Sequence, residues 1–257
     1  MHIRQTLLAL YAMFLINRSQ EATRAITVDV TFQAFCSGHV PFVCKENALS
    51  FDTMAGIRQD ASCLQSAGLG GTSGVTSKTA GIRQGVHQIW LQSPGAPPLQ
   101  ALVGNLDSRK ELLSLTETIR LQLCMKDRVL PPEYVELSYL LYEKGAFYKR
   151  HVDTTVKRDE RTSERCVSLI LYLGDPSLDE RPWDHVRDGG ALRIYGNSAF
   201  SIEGRFEDEH DAGQFADICP MPGTLVLFDS AVVDHAVLTT HRCRSAIVGW
   251  FGAEIVA

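Results

Sequence analysis

From Tyr134 onward the chain breaks into short apolar runs, and nothing else in it restricts the fold so strongly. The runs span 135–142, 166–173, 191–195, 224–228, 235–239 and 245–251. Turn signals separate several of them, at Gly174-Asp175-Pro176, Asp188-Gly189-Gly190 and Pro220-Met221-Pro222-Gly223. Runs of this length bounded by Gly and Pro read as strands, and a long succession of them suits a sandwich or barrel. The expected class is mainly β. The 257 residues suffice for one sizeable β domain with its own core.

The part before Tyr134 reads differently. Leu112, Leu115, Ile119 and Leu123 recur at helical spacing, which predicts a helix from a cap at Asp107 or Ser108 to about Lys126, closed by Pro131-Pro132. His87-Gln88-Ile89-Trp90-Leu91 reads as a short strand ended by Ser93-Pro94-Gly95. Between Ala55 and Gly85, clusters of Gly, Ser and Thr, densest at Gly68–Gly74, predict a mobile loop. The five residues Ala55–Gln59 recur at Ala80–Gln84, too short a repeat for a solenoid. The expected organisation is an N-terminal helical or leader segment over 1–50, a supporting region over 51–133 and the β domain over 134–257.

Composition narrows the partners. A net charge of −5 supplies no basic face, so nucleic acid is not expected as a partner. The basic run Lys149-Arg150, Lys157-Arg158 and Arg161 is interleaved with Asp159, Glu160 and Glu164. It reads as a solvated loop, or as a guide for an acidic substrate segment. Acidic residues between Ser201 and Asp217 mark an exposed insertion; a calcium loop would need a fixed ligand rhythm. Seven cysteines without CxxC spacing suit reduced thiols. Leu7–Ile16 is an apolar run behind His2 and Arg4, too short for a stable membrane span yet long enough for a signal-peptide core. The alternative is a helix packed on the domain, which leaves the compartment open between the cytoplasm and a targeted location.

Four side chains carry the chemistry. His151-Val152-Asp153 ends a predicted strand, and His235 and Arg244 follow far downstream, nine positions apart. On an extended strand positions i and i+2 share a face, so His151 and Asp153 can converge on one ion while Val152 points into packing. Two histidines and a carboxylate are the ligand set of a non-haem Fe(II) oxygenase, which leaves metal positions open for cosubstrate and oxygen. The planar fork of Arg244 suits a carboxylate of a dicarboxylate cosubstrate. Each part alone has a plainer reading. A chain of this composition carries about 0.5 His-x-Asp pairs by chance, and the pair also suits a solvated strand end after Lys149-Arg150. His235 alone suits an ordinary strand-end histidine, and Arg244 a surface partner for Asp234. Tyr142, Tyr172 and Trp250 suit core packing as well as a pocket, although a buried phenol needs a polar partner. His185 and His241 are expected to have no metal role.

Longer stretches surround these residues: Tyr142–Asp153 (YEKGAFYKRHVD), Arg165–Leu173 (RCVSLILYL), Gly189–Tyr195 (GGALRIY), Gly223–Asp229 (GTLVLFD), His235–Val237 (HAV) and Arg244–Phe251 (RSAIVGWF). In order, spacing and flanking strands, Glu136–Phe251 resembles the 2-oxoglutarate/Fe(II)-dependent prolyl 4-hydroxylase family. The likeness is to the hypoxia-inducible-factor prolyl hydroxylases and their microbial relatives more than to the collagen enzymes, which carry lysine where this chain has Arg244. The resemblance implies a double-stranded β-helix, or jelly-roll, core with supporting N-terminal helices, and makes 134–257 the dioxygenase domain.

It implies His151, Asp153 and His235 as ligands of Fe(II). Arg244 would meet the distal carboxylate of 2-oxoglutarate, assisted by the hydroxyl of Tyr172. Tyr142 corresponds to a tyrosine lining the cosubstrate pocket, Ser168 to a small hydroxyl residue facing it, and Trp250 to an aromatic at the substrate side. The implied activity is 4-hydroxylation of a prolyl residue in a protein or peptide. O2 and 2-oxoglutarate would be consumed, succinate and CO2 released, and L-ascorbate would restore Fe(II). Alternative readings are the same chemistry on another side chain or a small molecule, or a non-catalytic sensor of 2-oxoglutarate or oxygen. Two departures stand out: His235 lies 82 residues after Asp153, a long gap, and the N-terminal third matches only loosely around 81–90.

Overall fold

The computed structural model describes residues 30–72, 81–94, 96, 98–124, 129–154, 163–175, 181–196 and 215–254. The apolar run near the N-terminus, residues 73–80 of the Gly/Ser stretch, the basic segment 157–161 and the acidic insertion over 201–214 lie outside the described residues. The elements are α1 (Val30–Cys36), β1 (Phe42–Lys45), α2 (Phe51–Ser66), β2 (Gly71–Thr72), β3 (Arg83–Gln92), α3 (Leu106–Leu123) and a 3-10 turn at Pro132–Tyr134. Then come β4 (Val135–His151), β5 (Ser163–Gly174), α4 (His185–Asp188), β6 (Leu192–Tyr195), β7 (Phe215–Ile218), β8 (Leu225–Asp229), β9 (Asp234–Val237) and β10 (Arg244–Glu254).

The strands form one curled sheet in the order β1-β8-β5-β10-β4-β9-β6-β7, with β3 also beside β4 and β2 beside β3. Its pairings are antiparallel. This is a mainly β, jelly-roll core with helices on one face. Among the described residues no helix is long and apolar enough to cross a membrane.

Why the strands read as continuous apolar runs is clear from what they touch. Val167, Leu169, Leu171 and Leu173 of β5 face the helices, together with Leu137, Tyr139 and Leu141 of β4 and Leu225 and Leu227 of β8. The alternate residues Ile170, Tyr172, Leu140, Tyr142, Val226 and Phe228 fill the inside of the curl. Both faces are covered, so the polar half of the usual alternation is missing. Each such side chain contributes about 1.5–3 kcal/mol by leaving water. A slip of one residue would exchange the two faces, which pins the register of every strand around the interior.

The helical layer departs from expectation in three places. The stretch from Ala55 to Ser66 is not loop but most of α2, capped by Ser50, whose hydroxyl accepts from the Thr53 amide. Met54, Ile57, Ala61 and Leu64 form its buried stripe. Gly56 belongs to helix packing: a Cβ there would stand 2.2 Å from Ser108 Oγ on α3. Helix α3 starts earlier than predicted, with Asn105 as cap accepting from the Ser108 amide at 3.1 Å, and ends at Leu123. The repeated five residues are helical at 55–59, yet their second copy enters β3 at Arg83, so tertiary contacts decide their conformation.

A buried polar cluster ties helices to sheet. Asp60 of α2, fully buried, accepts from Arg109 Nε (2.9 Å) and Nη2 (2.6 Å) on α3 and from the Tyr139 hydroxyl (2.9 Å) on β4. Arg109 also donates to the carbonyls of Ala101 and Val103. The charge is fully engaged, as burial demands.

Candidate metal centre and cosubstrate pocket

Strand β4 outlasts its apolar run, passing through exposed Glu143 and Lys144 before reaching His151. Its last residue faces His235 of β9 directly across the ladder, with an irregularity between Tyr148 and His151. Opposed residues on neighbouring strands bring their Cβ atoms to about 5 Å. Asp153 lies just beyond the strand end. The register thus joins residues 84 positions apart, and the length of the intervening chain does not enter.

One ligand atom from each of His151, Asp153 and His235 lies within 4.8 Å of the others, a group able to hold a metal ion. Asp153 Oδ1 stands 3.5 Å from His151 Nε2 and 3.9 Å from His235 Nε2. Both imidazoles are fixed from behind. His151 donates from Nδ1 to the Lys149 carbonyl at 2.7 Å, and His235 from Nδ1 to the Val233 carbonyl at 3.1 Å. A carbonyl only accepts, so Nδ1 carries a proton in each ring, and Nε2 is the nitrogen that faces Asp153 and, once deprotonated, is available to a metal.

Electrostatics favour the ligating forms. Burial alone would push the Asp153 carboxyl up, but His151, His235 and the Ser168 hydroxyl outweigh it and hold it well below the usual carboxylate range. Burial depresses His235, against the pull of Asp153, so its imidazole is neutral at neutral pH. Neutral imidazole and ionised carboxylate are the states that bind metal.

A second constellation sits where β10 begins. Arg244, paired in register with Tyr142, is 2% exposed. Its guanidinium lies 4.2 Å over the Tyr142 ring and 5.2 Å from that of Tyr172. Arg244 Nε and Nη1 and the Tyr172 hydroxyl are buried without a hydrogen-bond partner among the described residues. Burial pushes the Tyr172 phenol up to about 12, Arg244 pulling the other way, so it stays a donor. Orphaned donors cost about 1–3 kcal/mol each, and a carboxylate at one edge of the guanidinium would relieve part of that cost. Gly190, with φ +72°, lets the chain pass closely here: a Cβ would stand 3.0 Å from Thr240 Oγ1 and 3.4 Å from Arg244 Nε. The residues present fit a dicarboxylate.

The structure thus brings His151, Asp153 and His235 together, and Arg244 together with Tyr142 and Tyr172. Ser168 and Trp250 lie beside the first of these groups. Both reach the metal-side carboxylate: Asp153 Oδ2 accepts from Ser168 Oγ at 2.6 Å and from Trp250 Nε1 at 2.9 Å. Trp250 is hydrogen-bonded to the candidate ligand and is 8% exposed, and its neighbour Trp90, at 6.3 Å, is the more open indole. His185 and His241 are outside the group. Tyr148 was not singled out by sequence reasoning, yet its ring stacks on His151 at 3.7 Å, with the Arg83 guanidinium 5.0 Å from the Tyr148 ring centre. Ser230, fully buried 2.8 Å from Ser168, was missed too. A polar residue closing an apolar strand was its only signal.

Residues 137–252 match the family model described as 2OG-Fe(II) oxygenase superfamily. This region is a 2OG-Fe(II) oxygenase domain. A domain of this kind implies Fe(II) as its metal and 2-oxoglutarate and O2 as cosubstrates, and the ligand set and orphaned donors above accord with that. Among solved structures the chain is similar to a prolyl-4-hydroxylase of Pseudomonas putida, at 25% identity and a TM-score of 0.61 over 85% of this chain and 95% of that one. It is also similar to a Trichoplax adhaerens prolyl hydroxylase solved with a hypoxia-inducible-factor peptide, at 17% identity and 0.57, over 85% and 86% of the two chains. A prolyl 4-hydroxylase of Phytophthora capsici matches at 16% identity and 0.56, over 90% of this chain and 68% of that one. A comparison with curated proteins finds no match.

Proposed function

We propose that this oxygenase hydroxylates a prolyl residue in a protein or peptide, at the 4-position. His151, Asp153 and His235 would hold Fe(II), and Arg244, whose guanidinium lies over the Tyr142 ring, would with the Tyr172 hydroxyl anchor the distal carboxylate of 2-oxoglutarate. The observations that carry the reading are two incomplete constellations on strands that pair with β4: a His-Asp-His group within 4.8 Å, and buried donors of Arg244 and Tyr172 without partners among the described residues. The metal supplies the oxygen chemistry when bound. The chain's residues do the rest. The carbonyls of Lys149 and Val233 fix the tautomers, Asp153 stays ionised, and Arg244 sets the orientation of the keto-acid. One oxygen atom of O2 ends in succinate and the other in the new hydroxyl, while the former C1 carboxylate leaves as CO2. L-ascorbate serves to return the metal to Fe(II) after turnovers without substrate.

The likeness to the Pseudomonas putida enzyme supports proline as the acceptor. Incubation of the full chain with Fe(II), 2-oxoglutarate, ascorbate and proline-containing peptides tests it, with succinate release and peptide mass as readouts. A mass gain of about 16 Da on proline is expected, and none in His151→Ala. Succinate release with hydroxylation confined to another side chain or a small molecule would sink the prolyl assignment alone. No succinate under any condition would sink the catalytic reading.

A further inference from the structure

We propose that Ser168 and Trp250 are positioning residues that keep Asp153 a one-oxygen metal ligand; this rests on the metal-site reading above. The two oxygens of Asp153 have separate surroundings. Oδ1 faces His151 Nε2 and His235 Nε2, at 3.5 and 3.9 Å. Oδ2 turns away and accepts from Ser168 Oγ at 2.6 Å and Trp250 Nε1 at 2.9 Å. Two donors occupy its in-plane lone pairs, so Oδ2 has none left for a metal.

Neither donor is free to swing off. Ser168 is buried and has one hydroxyl proton, which the carboxylate claims because it only accepts. The fully buried Ser230 hydroxyl, 2.8 Å away, therefore donates to Ser168, giving a directed chain Ser230 to Ser168 to Asp153. The Trp250 indole is clamped on its face by the Arg165 guanidinium at 3.7 Å. Arg165 is itself held by both oxygens of Glu136. Trp250 pairs in register with Ser168 on one side and Glu136 on the other, so adjacent strands fix the whole brace.

The consequence concerns coordination number. An octahedral ion held by three protein atoms keeps three positions, and a chelating keto-acid plus oxygen need all of them. A two-oxygen grip by Asp153 would take one. Without the brace, the carboxylate is free to rotate its second oxygen onto the ion.

The test uses Mn(II) bound to the purified full chain without cosubstrate, reading coordinated water from line broadening of the electron paramagnetic resonance in oxygen-17 water. About three bound waters are expected in the unaltered protein, and about two in Ser168→Ala/Trp250→Phe. Ser168→Ala alone should lose part of that water signal, and it keeps the test alive should Trp250→Phe misfold. A purely structural role for these residues would lower stability without moving the water count. If the variants bind Mn(II) with the same number of waters, the brace is refuted while the metal site stands. If the unaltered protein binds no Mn(II), both fall.

Discussion

Replacing Arg244 by leucine should move two measurements in opposite directions. Its Nε and Nη1 are buried without partners among the described residues, and its guanidinium stacks 4.2 Å over Tyr142. Two unpaired donors cost about 1–3 kcal/mol each, while a desolvated cation–π stack returns about 2 kcal/mol. Arg244→Leu removes both terms, so the protein without cosubstrate should be between unchanged and about 4 kcal/mol more stable. With 2-oxoglutarate the sign reverses. Two charge-assisted hydrogen bonds at about 1.5 kcal/mol each amount to a loss on the order of 100-fold in affinity. Denaturant unfolding in the presence of Mn(II), with and without the keto-acid, reads both effects. At about 100 times the unaltered Kd, the ligand should stabilise the unaltered protein by about 2.7 kcal/mol and the variant, near its own Kd, by about 0.4 kcal/mol. A variant destabilised by about 2 kcal/mol or more without ligand would mean that the guanidinium is already satisfied inside the fold. Retention of the full ligand-induced gain would remove Arg244 from the pocket.

Three further outcomes follow from named contacts. Asp60→Ala strands the buried Arg109 charge and should cost about 3–5 kcal/mol in denaturant unfolding, whereas Asp60→Leu/Arg109→Leu should cost less than the single change. Gly56→Ala places a methyl 2.2 Å from Ser108 Oγ and should cost about 1–3 kcal/mol, partly recovered by Ser108→Ala; strict additivity in the double-mutant cycle would contradict the packing account. The metal-free protein should lose stability in acid through His235. Its folded-state basicity is depressed by burial, so its contribution is present above the unfolded value of about 6.5 and is lost as pH falls through the lower folded one. Urea midpoints at about pH 7.5 and about pH 5.5 should differ more for the unaltered chain than for His235→Gln.

What could be read beforehand follows from which signals are local. The apolar runs of β5, β8 and β10 announced themselves because both faces of each are buried, and only Gly and Pro interrupt them. The far half of β4 did not, since exposed Glu143 and Lys144 carry the strand past its apolar stretch to His151. Helix α2 was hidden by composition: Gly56 reads as a breaker until Ser108 is seen against it. Its stripe of Met54, Ile57, Ala61 and Leu64 was there to be weighed. At the centre, side-chain chemistry picked out His151, Asp153, His235 and Arg244, because few residue types bind iron or clamp a dicarboxylate. The contacts of Ser168 and Trp250 with Asp153 carry no such mark. They arise from the pairing of β5 with β10, irregular at Ser245/Ala246 and Phe251/Gly252, and a list of residue types does not encode that geometry.

Strand β10 lies between β4 and β5, although both precede it in the chain. During synthesis, those two earlier strands emerge with their inner edges unpaired and must wait for it. The half-made protein therefore presents open edges and oily faces while the ribosome completes the remainder, a period in which chaperone capture competes with aggregation. Arg244 and Trp250 arrive on that same late strand, so the cleft acquires its cation and its indole in the step that joins the two halves of the sheet.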